Sequence, residues 1–157
     1  MTLLLEYRGA RRDEDVARLR RVLALRAMSA AGMSQRAIAT ELGISQSAVS
    51  QQLKLATGLL QVDPQLLLDA AAPVLKALAA ERGYRRLAVF GSVARGEASA
   101  ESDVDLLVEP PHGASSFDFV EFKMMLEQVL GRAIDLVSWN GLKQDLDDDI
   151  RREAVLL

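Results

Sequence analysis

Gly91-Ser92, followed after ten residues by Asp103-Val104-Asp105, is the pairing in this sequence with the clearest chemical meaning. The run Arg86-Leu87-Ala88-Val89-Phe90 is short, apolar and stopped by glycine, which predicts a buried strand ending where Gly91 lets the backbone approach a ligand. Ser92 then opens a helix, and N–H groups at such a start, beside a serine hydroxyl, suit the oxygens of a triphosphate. Asp103 and Asp105, two apart in a strand, share one face while Val104 points the other way. Leu106-Leu107-Val108 continues as a buried strand, so the acids stand at its exposed start, where hard oxygen ligands can meet Mg²⁺. Ile134-Asp135-Leu136-Val137 adds a third carboxylate inside an apolar run, where an unpaired charge is expensive to bury and wants a metal or a cationic partner. Three acids on neighbouring strands can hold one or two Mg²⁺ ions, which would neutralise the triphosphate, activate a hydroxyl and steady a leaving pyrophosphate. An Asp-x-Asp alone is commonplace in turns and surface strands. Joined to the strand-Gly-Ser-helix lead-in and to Asp135, it is far more specific.

Phe90-Gly-Ser-Val-Ala-Arg-Gly-Glu and Ser102-Asp-Val-Asp-Leu-Leu-Val resemble the minimal nucleotidyltransferases, the small branch of the DNA polymerase beta-like superfamily. The resemblance covers about residues 73–157, including Leu130-Gly-Arg-Ala-Ile-Asp-Leu-Val and a C-terminal helix ending Ile150-Arg-Arg-Glu-Ala-Val. It implies that Gly91 and Ser92 bind the triphosphate, that Asp103 and Asp105 bind Mg²⁺, and that Asp135 is the third carboxylate, activating the acceptor hydroxyl. Many relatives have a small or basic residue where this chain has Val93; Arg95 remains available as a phosphate or partner contact.

A second motif lies upstream. Residues Ser34 to Lys54 set two short helical patterns either side of Gly43, which is helix-turn-helix spacing. Ile38, Ala39 and Leu42 are expected to form the buried face of the first helix, and Ile44, Val49 and Leu53 to pack the second back onto it, with Ala39 small where the helices cross. Ser34 and Ser45 stand at N-cap positions. The second helix would expose Gln46, Ser47, Ser50 and Gln51 to base edges or phosphates, with Ser45 and Gln35 at the helix starts and Lys54 reaching a phosphate. Leu42-Gly-Ile-Ser-Gln-Ser-Ala-Val-Ser resembles the Cro and Xre type of bacterial regulator, and more loosely the likeness covers residues 13–56. A packed helix pair used only for interaction has the same spacing. Charge favours DNA: residues 1–61 hold 9 Lys or Arg against 5 Asp or Glu, whereas residues 62–157 hold 10 against 17.

With 157 residues, half of them hydrophobic, the chain can bury two modest cores. The expected organisation is an all-α helix-turn-helix domain over 1–62, a helical linker over 63–72, and over 73–157 an α/β nucleotidyltransferase fold with a small mixed sheet flanked by helices. Asp63-Pro64 begins a helix through about Ala71 that Pro73 should break or kink, and a second helix runs to Arg82 and ends at Gly83. Ser116 to Leu130 reads as an amphipathic helix, Ala133 to Ser138 as the third strand and Asp145 to Leu156 as the closing helix. Thr2 to Ala10 reads as an arm, disordered or packed on a partner subunit. The absence of cysteine excludes disulfides and thiolate metal sites and fits a reducing cytoplasm. The N-terminus lacks a signal-peptide pattern and no run of about 18 apolar residues offers a membrane span. His112, in Pro-Pro-His-Gly, reads as solvated, Trp139 as a packed residue beyond the third strand, and Asp147-Asp148-Asp149 as an acidic helical face.

The two resemblances together imply an Mg²⁺-dependent enzyme that transfers a nucleoside monophosphate, AMP from ATP, to a hydroxyl of a cognate toxin protein such as a HEPN-domain ribonuclease. They also imply an antitoxin that represses its own operon by binding operator DNA. A short reading helix favours a homodimer or higher toxin–antitoxin complex on half-sites about 34 Å apart. The alternative is a non-catalytic DNA-binding regulator that neutralises its toxin by binding only. Small-molecule nucleotidylation is disfavoured, because little chain is left for an acceptor-binding domain.

Overall fold

The computed structural model describes residues 1–55, 58, 61–145 and 147–157. Residue 56, where the looser helix-turn-helix likeness ends, lies outside the described residues. The element order is α1 (Thr2–Ala30), α2 (Gln35–Leu42), α3 (Gln46–Leu55), α4 (Pro64–Glu81), β1 (Arg85–Phe90), α5 (Gly91–Ala94), β2 (Val104–Glu109), α6 (Ser116–Leu130), β3 (Ile134–Ser138), α7 (Asp148–Glu153) and β4 (Val155–Leu156). Helices come first, and a mixed four-stranded sheet flanked by helices follows, ordered β3-β2-β1-β4. β1 is antiparallel to β2 and β4, whereas β2 and β3 run parallel with Asp105 opposite Asp135.

Strand alternation assigns each sheet face its core. Leu87 and Val89 of β1, Val104, Leu106 and Val108 of β2, and Ile134 and Leu136 of β3 face a large core shared with α4, α6 and the second half of α1. Ala88, Phe90 and Leu107 face the other way and are covered by Leu142, with Val137, Trp139, Ile150 and Ala154 around them. Asp105 and Asp135 have the same parity as Leu107 and Val137, so both acids project from this second, smaller face.

Three elements differ from the sequence expectation. The arm expected over Thr2–Ala10 is the first part of α1, a 29-residue helix that carries Met1, Leu3, Leu4, Leu5 and Tyr7 exposed beyond the core. Pro73 does not break α4, which runs unbroken through it. Proline forfeits one backbone donor, but Pro73 faces solvent, where the freed carbonyl can be hydrated, while Leu67, Leu68, Ala70, Ala71, Leu75, Leu78 and Ala79 anchor the opposite face in the core. Residues 63–72 are therefore the first half of a core helix, capped by the Asp63 side chain, which accepts from the Leu66 N–H at 3.0 Å. Finally, the closing helix is only the six-residue α7, and Val155–Leu156 instead pair with β1 at Val89 and Ala88. A two-residue edge strand is too short for a period to show in sequence.

The helix-turn-helix has a core of its own. Leu25 of α1 meets Ile38, Ala39 and Val49, with Met28, Met33 and Leu53 around them. Leu42 and Ile44, expected inside, are 48% and 38% exposed. The third side of this small core is supplied by α1, so the two positions nearest the turn are left outside. Among the described residues, no helix is long and apolar enough to cross a membrane.

Candidate active site

The C-terminal end of β1 and the N-terminal ends of β2 and β3 meet at one edge of the sheet. Phe90 pairs with Asp105, and Gly91 follows with φ +71°, a left-handed conformation that side chains rarely adopt. A Cβ on Gly91 would overlap the Asp105 carboxylate. Glycine is thus required twice over, by backbone conformation and by close approach. Gly91 opens the short α5, Ser92 is half-buried beside it, and Val93 is buried in the large core. That burial explains a branched apolar residue where a basic one would be stranded.

Asp103 lies one residue ahead of β2 and is exposed, Asp105 is half-buried within β2, and Asp135 is exposed on β3 in register with Asp105. The expectation that Asp135 is buried in its apolar run is not met, since Ile134 and Leu136 take the core side and Asp135 the open one. Burial pushes the Asp105 carboxyl above its ordinary value; the charges of Asp135 and Asp103 push it further, Arg95 opposes the rise, and Glu153 adds to it. Among the described residues no group of three His, Cys, Asp or Glu side chains is gathered tightly enough to form a metal cage. Mg²⁺ needs no such cage, being held in general by one or two carboxylates together with substrate phosphates. The hard-oxygen donors at Asp103, Asp105 and Asp135, near enough for their charges to act on Asp105, fit that pattern.

Glu153, at the end of α7, is the contributor that sequence reasoning did not single out. Its Oε2 accepts from the Gly91 N–H at 2.8 Å, and Arg95 Nη1 donates to its Oε2 at 2.9 Å and its Oε1 at 3.2 Å. Arg95 Nε also donates to Glu97 at 3.0 Å, and these two acids hold the guanidinium more strongly protonated than usual. The only signal was the Ile150-Arg-Arg-Glu-Ala-Val ending, which carries no spacing relation to Gly91 because it is brought there by β4 pairing.

The other singled-out residues are placed apart from this edge. His112 is exposed in its loop. The Trp139 indole donates to the Arg86 carbonyl at 2.7 Å and stacks under the Arg86 guanidinium at 4.5 Å, bracing a bulge where Arg86 adopts φ 52°. Asp148 and Asp149 occupy the first turn of α7 and pair with Arg151 and Arg152, and Asp147 accepts from the Lys143 N–H. Acids at that end suit the helix dipole.

In the helix-turn-helix, Ser34 caps α2 through the Ala37 N–H at 3.1 Å, Gly43 ends it with φ 67°, and Ser45 caps α3 through the Ala48 N–H at 3.0 Å. Gln46, Ser47, Gln51 and Lys54 are exposed on α3, Ser45 is exposed at its start, and Ser50 and Gln35 are half-exposed. Val49 turns inward while Gln46 and Gln51 remain outside, so α3 presents a polar, uncommitted face.

The comparisons with known proteins agree with both regions. Residues 73–157 match the nucleotidyltransferase domain family and residues 15–60 match the homeodomain-like domain family. The chain is 43% identical over 75 residues to a Methanocaldococcus jannaschii protein assigned as a protein adenylyltransferase, covering 48% of this chain and 81% of that one. It is 42% identical over 73 residues to the protein adenylyltransferase MntA of Thermococcus cleftensis, covering 46% and 74%. A solved structure assigned to a minimal nucleotidyltransferase superposes with TM-score 0.55 at 42% identity, covering 61% of this chain and 97% of that one. This chain belongs to the nucleotidyltransferase domain family, with a homeodomain-like helix-turn-helix ahead of the transferase fold.

Proposed function

We propose that this protein is an Mg²⁺-dependent nucleotidyltransferase antitoxin that moves a nucleoside monophosphate, AMP from ATP, onto a hydroxyl of a cognate toxin protein. The observation that carries the reading is Asp105, set against the Gly91 turn, aligned with Asp135 across parallel strands, and raised above the usual carboxylate range by burial and then by the charges of Asp135 and Asp103. Carboxylates that oppose one another in this way are stabilised by a cation. The names of the relatives support a protein as acceptor.

Asp103 and Asp105, with Asp135, would hold Mg²⁺, which when bound neutralises the triphosphate and lowers the pKa of the attacking hydroxyl. Gly91, Ser92 and Arg95 form the triphosphate side of the site. Asp135, exposed at the edge, accepts the acceptor's hydroxyl proton. The hydroxyl oxygen bonds to the α-phosphorus, the bond from that phosphorus to the α–β bridging oxygen breaks, and pyrophosphate leaves with the electron pair.

The remaining parts follow the chain. Residues 1–62 read operator DNA through Gln35, Ser45, Gln46, Ser47, Ser50, Gln51 and Lys54, as a homodimer or within a higher toxin–antitoxin complex in the cytoplasm. Residues 63–72 connect them to the transferase at 73–157. The basic balance before residue 62 and the exposed polar face of α3 support this division.

The test is intact mass of the protein encoded beside this gene after incubation with this chain, Mg²⁺ and each nucleoside triphosphate in turn. One or more added nucleoside monophosphates, absent from the Asp103→Asn/Asp105→Asn variant, supports transfer and names the nucleotide. A bound neighbour of unchanged mass would replace it with an antitoxin that acts by binding alone.

A further inference from the structure

Gly91 has a single backbone N–H, and it is already taken. Glu153 Oε2 accepts it at 2.8 Å, and the same carboxylate receives Arg95 Nη1 on both oxygens. One N–H cannot also serve a phosphate oxygen at full strength. Nor is Glu153 on a loose tail. The two residues beyond Ala154 pair with Val89 and Ala88, on the strand that leads into Gly91. The Ala154 N–H is bonded to Ile150, and the Leu157 N–H to Leu87. β1 therefore positions both the turn and the carboxylate that grips it, while Asp105 packs against the turn from β2.

We propose that Glu153 is a positioning residue of the transfer site. Its carboxylate fixes the Gly91 turn and aims Arg95, so that triphosphate recognition falls to Ser92 and to the Arg95 donors that Glu153 and Glu97 leave open. Gly91 is then required for its left-handed backbone and its close approach to Asp105, and its N–H belongs to the protein. This assignment rests on the nucleotidyl-transfer reading and deepens it. The opposite arrangement, in which Glu153 stands where a phosphate later binds and is displaced by it, makes the opposite prediction for affinity, because removing a competing carboxylate would tighten nucleotide binding.

The full chain carrying Glu153→Ala or Glu153→Gln, each compared with wild type by thermal melting, is titrated with ATP and Mg²⁺ by calorimetry, and KM and kcat for transfer are measured on the same preparations. Loss of hydrogen bonds to a charged group should weaken ATP binding about tenfold in Glu153→Ala, with KM for ATP rising in step and kcat changing less. Glu153→Gln, whose amide oxygen can still accept from Gly91, should recover part of that loss without restoring the hold on Arg95. Unchanged ATP affinity in folded Glu153→Ala, or in Glu153→Gln if the alanine variant does not fold, would overturn the assignment. Tighter binding would also overturn it and make Glu153 a displaced stand-in for phosphate. Failure of the wild-type chain to bind any nucleoside triphosphate would instead sink the transfer reading on which the assignment rests.

Discussion

The helix-turn-helix and the sheet edge handle polar groups in opposite ways. In the first, Ser34 and Ser45 cap helices, while Gln46 and Gln51 face solvent uncommitted. Its stability comes from a small apolar cluster around Ile38, Ala39 and Val49. At the sheet edge, polar groups are crowded on one another: Asp105 against Gly91, Glu153 gripping the Gly91 N–H and Arg95, and Asp103 and Asp135 repelling Asp105. A surface that reads another polymer can leave its donors and acceptors in water until the partner arrives. A site for phosphate chemistry must hold its charges in place beforehand, at a cost in stability.

That contrast can be broken most decisively at Asp105. Asp105→Asn, alone or with Asp103→Asn, should lower transfer by about a thousandfold or more if, as proposed, Asp105 is a ligand of the ion that neutralises the triphosphate. The same variant should melt at an equal or higher temperature in metal-free buffer, because one member of a mutually repelling set has lost its charge. Single-turnover mass analysis and calorimetry check the two halves, and a drop in melting temperature would show that Asp105 supports the fold.

Gly91→Ala should also abolish most transfer, but unlike Asp105→Asn it should cost about 1–3 kcal/mol of stability, from the strained φ and the overlap with Asp105. Chemical denaturation of the purified variant measures it. Operator binding, measured by a gel-shift titration at fixed salt, should be untouched by either change.

The reverse experiment lies in α3. Gln46→Ala/Gln51→Ala should weaken operator binding about tenfold while leaving melting temperature and transfer unchanged. If transfer falls with it, the two regions are coupled. Val49→Ala, in contrast, should cost about 2 kcal/mol, visible in denaturation, because the methyl groups removed come from a core with few other members.

The smallest expected effect concerns the start of α6. Ser115 and Asp118 form a reciprocal capping box, and hydrogen bonds from the Ser115 backbone and side chain hold the Asp118 carboxyl below its usual value. Its contribution to stability is present above the ordinary carboxylate range and is lost as pH falls through the depressed value. Asp118→Asn should accordingly flatten the acid side of the melting-temperature profile slightly, without altering transfer at neutral pH.

Local signals made much of this legible. Ser34, Gly43 and Ser45 stand at fixed offsets within two helices, so capping chemistry alone places them. The pattern from Phe90 to Val108 likewise combines a strand, a glycine turn and alternating acids, each set by near neighbours. The exceptions are non-local. Pro73 is tolerated because the rest of α4 is buried, Leu42 and Ile44 lie outside because α1 fills the inside, and Asp135 is open because its neighbours take the core side.

From the sequence alone come the class of each region, the helix-turn-helix pair, the first three strands and the acids and glycine of the sheet edge, because residue type and short spacing encode backbone preference and side-chain chemistry directly. The tertiary structure alone decided that β4 folds back on β1, and with it that Glu153 closes over Gly91 and Arg95. The positions 91 and 153 are separated by 62 residues. Contact over that distance is set by strand pairing and by burial of the sheet's second face, which no local period records.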